Sequence, residues 1–268
     1  MAHLHGQDPQ SFAFENILYS KEGTRATVTI NRPEVLNCVN LPTLRELQLA
    51  FQDASWDDRV AVLILTGAGD RAFCTGADIN GWGDLTPAEF ARRWVRDGHR
   101  IFDALARLSK PTIAALNGHA MGGGLELAAA CDIRVMAPRA TLALPEARVG
   151  IVPGWSGTQR LARLMPEPVI KEMALFGRRI PSDRALALGF AAKVSDDVLA
   201  TAREIAGAAA VLSPRAVEIT KNMIHAGAGE DLAAMIEALG AAGIAASEDR
   251  DEGVAAFREK RPPNFSGN

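Results

Sequence analysis

A chain of 268 residues, 48% hydrophobic and 23% charged, has the composition to bury one large core, and nothing in it reads as a linker between modules. A net charge of −3 and an isoelectric point near 6.0 exclude a nucleic-acid binder that works through bulk electrostatics. No apolar run approaches the length of a membrane span, and Cys38, Cys74 and Cys131 share no metal-ligand spacing with one another or with a histidine. These thiols are expected as reduced core residues. Residues 1–11 hold histidines, Gln7 and Asp8 without the apolar stretch of a secretory signal, and are expected to be a flexible N-terminus on a cytoplasmic protein.

Residues 26–30 alternate with period two and predict a strand. Asn40 then caps a helix with Pro42 in its first turn, running through Leu44, Leu47 and Phe51. Residues 60–66 form an apolar run that predicts a buried strand, stopped by Gly67-Ala-Gly-Asp70. Thr86, Pro87 and Glu89 make a capping box for a helix to about Leu108. Residues 111–116 predict a second buried strand, with a helix over 122–130 directly after it, and short strands follow at 133–136 and 141–144. From about Gly157 the pattern changes to helices joined by Pro and Gly: Ser182 caps one that Gly189 ends, Ser213-Pro214 starts another, and alanine-rich stretches at 200–210 and 232–246 read as amphipathic. The class is α/β, a layered core of repeated strand–helix units with a C-terminal α-helical part.

Two glutamates stand out because a carboxylate in apolar company is costly to ionise. Glu126 closes Asn117-Gly-His-Ala-Met-Gly-Gly-Gly-Leu-Glu126, and Glu146 follows Leu144-Pro145. The glycine run sits between a strand and a helix, where unpaired N–H groups meet the positive end of the helix dipole. It does not match the dinucleotide fingerprint, and no Gly-Lys-Ser/Thr follows for a phosphate loop. Close helix–sheet packing is the alternative use of these glycines. A second glycine turn, Ala72-Phe-Cys-Thr-Gly-Ala-Asp-Ile79, follows the strand at 60–66. Two such turns after neighbouring strands can aim two amides at one oxygen, as an enolate or a tetrahedral oxygen requires. Two carboxylates beside that oxygen then suit acid–base work on a water. The alternatives are a dipole-compensating Glu126 and a solvated Glu146. Ser156 falls one residue short of a nucleophile elbow, and sequence places no His–Asp pair beside it. His99 and His119 read as structural, Asp132 as a backbone ligand or strand cap, and Arg148 and Arg160 as ion-pair partners or surface residues.

These stretches, together with Val28-Thr-Ile-Asn-Arg-Pro-Glu-Val-Leu-Asn37 and the tail at 247–261, resemble the crotonase, or enoyl-CoA hydratase/isomerase, superfamily over nearly the whole chain. The resemblance implies a crotonase-type spiral: an α/β core at 12–200, and a C-terminal helical region at 201–268 used in oligomerisation and active-site completion. It implies an oxyanion hole from the Ala77 and Gly123 amides and catalytic roles for Glu126 and Glu146. It also implies substrate contacts from Arg32, Val35, Asp78, Ile79, Trp155 and Lys260. The substrate is an acyl-CoA, with CoA arriving as part of it and no metal or other cofactor implied. Hydration of a trans-2-enoyl-CoA is the expected reaction, because both glutamates are present. Isomerisation, thioester hydrolysis and carbon–carbon cleavage are the alternatives, and a non-catalytic CoA- or RNA-binding member lies beyond them. No nucleic-acid or membrane partner is expected, and assembly is expected as a homotrimer or a hexamer of paired trimers. The chain departs from the family at Glu34 and Asn80, where lysine is common, and at Trp155-Ser156, where Ala-Gly is commoner.

Overall fold

The apolar runs at 60–66 and 111–116 become the central strands of a sheet, because residues buried on both faces need no alternation. In the computed structural model, which describes residues 6–229 and 232–267, the strands are β1 (Ile17–Glu22), β2 (Arg25–Ile30), β3 (Val62–Gly67), β4 (Ala72–Cys74), β5 (Thr112–Leu116), β6 (His119–Met121), β7 (Ile133–Met136), β8 (Thr141–Ala143), β9 (Ile180–Pro181) and β10 (Lys193–Val194). Six of them form one sheet in the order β1-β2-β3-β5-β7-β10, and four form a smaller one in the order β4-β6-β8-β9. Among the described residues only the hairpin β1–β2 and the pair β8–β9 are antiparallel. The large sheet is in parallel register through Thr27↔Ile64, Ile64↔Ile113 and Ala115↔Val135. The small sheet pairs Cys74 with Ala120 and Met121 with Ala143.

This topology is the expected spiral. The strands of the large sheet from β3 to β7 are each followed by a short strand of the small one: β3 by β4, β5 by β6, β7 by β8. Two buried asparagines brace the first crossing. Asn117 Nδ2 donates to Gly69 O (2.8 Å), and its Oδ1 accepts from Gly67 N (3.1 Å). Asn37 Nδ2 donates to the carbonyls of Ala68 (2.9 Å) and Ala72 (2.8 Å). Buried loop backbone is thereby satisfied by side-chain amides.

The helices are α1 (Leu41–Trp56), α2 (Pro87–Glu89), α3 (Arg96–Ala106), α4 (Gly123–Ala129), α5 (Gly157–Leu164), α6 (Glu167–Phe176), α7 (Ser182–Ala187), α8 (Val198–Ala209), α9 (Pro214–Gly227), α10 (Leu232–Ala245) and α11 (Glu248–Glu259). Asn40 caps α1 as expected, accepting from Thr43 N at 2.9 Å. The Thr86–Glu89 capping box forms in full, but the helix it starts is not uniform: Phe90–Val95 is a π-helical segment between α2 and α3. Ser182 is not a cap. Pro181 holds that position, and the Ser182 hydroxyl donates to Pro138 O at 2.8 Å. The core lies between the sheets and α1, α3 and α8, with Phe51, Phe102 and Ala202 fully buried.

The described chain divides into a unit ending at Pro214 and a unit beginning at Arg215. Helix α8 lies beyond residue 200, yet it packs on β3, β5 and β7 within the first unit. Of the eleven N-terminal residues expected to be flexible, 1–5 lie outside the described residues. Gln7 N donates to Asp53 Oδ1 (2.6 Å), and Pro9–Ser11 forms a turn capped by Asp8. In the second unit α10 and α11 pack together, and Arg261 forks onto Glu252 at 2.6 and 2.8 Å. No helix among the described residues is long and apolar enough to cross a membrane.

Candidate active site

Two turns of the small sheet build the first wall. After β4 the chain bends at Gly76, whose φ of 103° only glycine adopts without strain. Ala77 then lies beside Val39 in a parallel bridge, flanked by Val39 N donating to Gly76 O and Asp78 N donating to Val39 O, both at 2.8 Å. Those bonds use the groups on either side of Ala77, so its own N–H faces away from the bridge. The second turn follows β6. Gly122, at φ 52°, donates to Ala143 O (2.9 Å), and Gly123 opens α4 with one of the N–H groups that a helix start leaves unpaired. The backbones of Gly76 and Gly123 are adjacent. Ala77 and Gly123 line the same cavity.

The two glutamates line the same cavity. Glu126, in the first turn of α4, is 2% exposed. Its Oε1 accepts from Trp155 N (2.9 Å) and Gly157 N (2.8 Å). Burial pushes its carboxyl above the usual range, opposed by those amides and by the charge of Arg160. Glu146 is 7% exposed, and its Oε2 is buried with no hydrogen-bond partner. Burial, with the charge of Glu126 added, pushes the Glu146 carboxyl up to about 7. Burial thus pushes both carboxyls up, with two backbone amides on Glu126 Oε1 and no partner on Glu146 Oε2.

The cavity, about 270 Å³, is otherwise mostly apolar. Ile79, Trp82, Phe90, Trp94, Val95 and Trp155 form much of its wall. Trp155 is 3% exposed and packs on Trp94 and Phe102, with ring centroids 5.3 and 4.9 Å away. Its indole N–H donates to Trp94 O at 3.3 Å. This bulk fits because Gly98 and Gly123 present no Cβ to the indole. The π-helical segment supplies Phe90, Trp94 and Val95, a contribution that sequence reasoning missed. The (i, i+4) spacing of Phe90 and Trp94 was the available signal.

The remaining expected substrate residues are placed differently. Arg32 donates to Cys38 O (2.6 Å) and pairs with Asp78 (3.0 Å), whose other oxygen caps the turn at Ile79–Gly81. Its guanidinium is thus already engaged within the protein, and neither residue lines the cavity. Val35 sits partly exposed on the Pro33–Val35 turn, also outside the lining. Ile79 lines the cavity and is half-exposed. Lys260 belongs to the second unit, capping α11 at φ 55°. Asp132 accepts from Thr112 N (2.7 Å), as expected of a backbone ligand. Ser156 has partners that its sequence context did not reveal: its hydroxyl lies 2.9 Å from His99 Nδ1, and His99 Nε2 lies 3.4 Å from Asp103. Among the described residues no three His, Cys, Asp or Glu side chains are grouped to hold a metal ion.

Two backbone amides and two buried carboxylates on one mostly apolar cavity suit acid–base chemistry on an enolisable carbonyl. Comparison with known proteins agrees. The enoyl-CoA hydratase/isomerase family matches residues 20–268. The chain is 39% identical to the short-chain-enoyl-CoA hydratase of Clostridium acetobutylicum, over 92% of this chain and 95% of that one. It is 38% identical to the crotonyl-CoA hydratase of Syntrophomonas wolfei, over 94% and 98%. Among solved structures it is similar to the enoyl-CoA hydratase of Bacillus anthracis, with a TM-score of 0.78 and 36% identity over 95% of this chain and all of that one. The chain belongs to the enoyl-CoA hydratase/isomerase family.

Proposed function

We propose that this protein hydrates trans-2-enoyl-CoA thioesters to 3-hydroxyacyl-CoA. The observation that carries the reading is the unequal pair: Glu126 held by two amides, Glu146 with an unpartnered buried oxygen, both on one cavity with the Ala77 and Gly123 amides. Glu126 orients a water and takes a proton from it as the oxygen bonds to C3. The electron pair of the double bond moves toward the thioester, and the two amides hold the oxygen of the resulting enolate. Glu146 delivers its proton to C2, and the proton on Glu126 passes back to Glu146 through the next water. Water is the only other reactant, and CoA enters as part of the substrate.

Both glutamates are needed for hydration, whereas a double-bond shift needs one carboxylate to move a proton between carbons. Retention of the pair therefore favours hydration over isomerisation, thioester hydrolysis or carbon–carbon cleavage. The test follows the loss of absorbance of the conjugated double bond of crotonyl-CoA, with Glu126→Gln and Glu146→Gln compared at equal folding. Each substitution is expected to cost about 10²- to 10⁴-fold in kcat. Unchanged turnover in both would remove the mechanism.

For the assembly we propose a cytoplasmic homotrimer or a hexamer of paired trimers. The resemblance supports this, as do the exposed apolar residues Leu175 and Phe176 on α6 and Val211 and Leu212 after α8. A monomer mass by light scattering would contradict it.

A further inference from the structure

The turn that cradles Glu126 is strained. Trp155 N and Gly157 N converge on one carboxylate oxygen because the residue between them, Ser156, is left-handed, at φ 68° and ψ 18°. Successive N–H groups around a left-handed residue form an anion-binding concavity. For a residue with a side chain, that conformation costs free energy which glycine does not incur. Something must hold it.

The contacts that hold it form a closed circuit. The Ser156 hydroxyl meets His99 Nδ1 on α3 at 2.9 Å, and His99 Nε2 faces Asp103 one turn along at 3.4 Å. Asp103 pairs with Arg160, and Arg160 Nη1 donates to Trp155 O at 3.1 Å, returning to the same turn. Ser, His and Asp in this order resemble a nucleophilic relay. However, Ser156 does not line the cavity. Its hydroxyl is engaged by the His99 ring instead.

We propose that Ser156 and His99 are positioning residues that lock the left-handed turn, and so hold the amides that pin Glu126. This rests on the hydration reading above, since it gives Glu126 the water. The test is a double-mutant cycle read in kcat, KM and Tm on the full-length protein. Ser156→Ala keeps the strain and removes the lock, so kcat on crotonyl-CoA is expected to fall about three- to tenfold with KM unchanged. Ser156→Gly takes the left-handed conformation freely and restores the rate. His99→Ala is expected to cost as much as Ser156→Ala in the serine protein and nothing in the Ser156→Gly background. The same coupling is expected in Tm, at roughly 2–4 °C for a domain of this size.

An equal cost of His99→Ala in both backgrounds would overturn the lock. So would a fall in Tm without a fall in kcat, the mark of a purely structural contact. If the wild type hydrates no enoyl thioester, the functional reading fails on its own. The Tm cycle, with the ¹³C-monitored titration of Glu126, then decides the lock: losing the amides moves that carboxyl further up, and an unmoved titration in Ser156→Ala refutes it.

Discussion

Glu126 and Glu146 share one cavity but not one environment: Glu126 Oε1 takes amide bonds of 2.9 and 2.8 Å, while Glu146 Oε2 is buried with none. That inequality underlies the proposed division of the two protons. A carboxylate receiving N–H bonds is stabilised in its charged form, and burial of an oxygen without a partner favours the neutral form.

The first consequence is a pH profile. In the hydration proposed above, Glu126 acts ionised and Glu146 protonated, and the Glu146 carboxyl is pushed up to about 7. The value of kcat/KM is therefore expected to fall as pH rises through about 7, when the C2 acid is lost. It is also expected to fall on the acid side, when Glu126 takes a proton. The apparent values belong to the pair, because each charge acts on the other. A profile flat from pH 6 to 9 would remove the division of labour.

A second consequence concerns stability. The Glu146 carboxyl lies at about 7 in the folded protein against an ordinary 4.5. Between those values the native state holds a proton that the unfolded chain has released, so stability falls as pH rises across that window and levels off above it. The span is worth about 3 kcal/mol. Glu146→Gln removes this titration. Its Tm is expected to match the wild type near pH 4.5 and to exceed it at pH 8, by melts at both values. A variant less stable than wild type at pH 8 would mean that the ionised carboxylate has a compensating contact.

The sequence made legible what is encoded locally. Buried strands β3 and β5 appear as apolar runs, and the Asn40 cap and the Thr86–Glu89 box appear as spacings, because their partners lie within a turn. The segments around Ala77, Gly123, Glu126 and Glu146, which line one cavity, are short enough to be picked out in the same way. Long-range pairings were not legible. Strands β6, β9 and β10 are two or three residues long and exist only through distant partners. Ser156 and His99 are 57 positions apart, as are Arg160 and Asp103, and neither spacing has periodicity to betray it. The π-helical segment at Phe90–Val95 lies inside a run that otherwise reads as ordinary helix, so its effect on the cavity wall was hidden. The Arg32–Asp78 pair was hidden likewise, since each residue alone looked available for substrate.

Arg160 is expected to tune the base. It is buried, donates to Trp155 O and lowers the Glu126 carboxyl through its charge, against the larger effect of burial. Arg160→Leu removes that charge, so Glu126 should titrate higher and the acid limb of kcat/KM should move to higher pH. Arg160→Lys keeps a charge without the planar fork. It is expected to restore the position of the limb but only part of the rate. Stopped-flow profiles of the three proteins decide the point, and an unmoved limb in Arg160→Leu would show that the charge does not reach Glu126.

Trp155 is expected to limit the acyl group. Its indole fills the space between Gly98 and Gly123 and leans on Trp94 and Phe102, so it closes the cavity beside the Gly123 amide. Trp155→Ala leaves both amide bonds to Glu126 available, since these come from backbone, and vacates on the order of 150 Å³, room for a benzene-sized group. The wild type should therefore favour short acyl chains, and the variant should gain on longer or branched ones. One methylene in an apolar pocket is worth roughly 10- to 200-fold in discrimination. A shift of about tenfold or more in the ratio of kcat/KM for octenoyl-CoA to that for crotonyl-CoA is thus the expected result. The truncation also costs about 3–5 kcal/mol of core packing, so Trp155→Phe, which fills part of the space, serves as the folded control and should shift the ratio in the same direction by less. A uniform loss on every chain length in both variants would make Trp155 a packing residue alone and move the limit on the acyl group to Phe90 and Trp94.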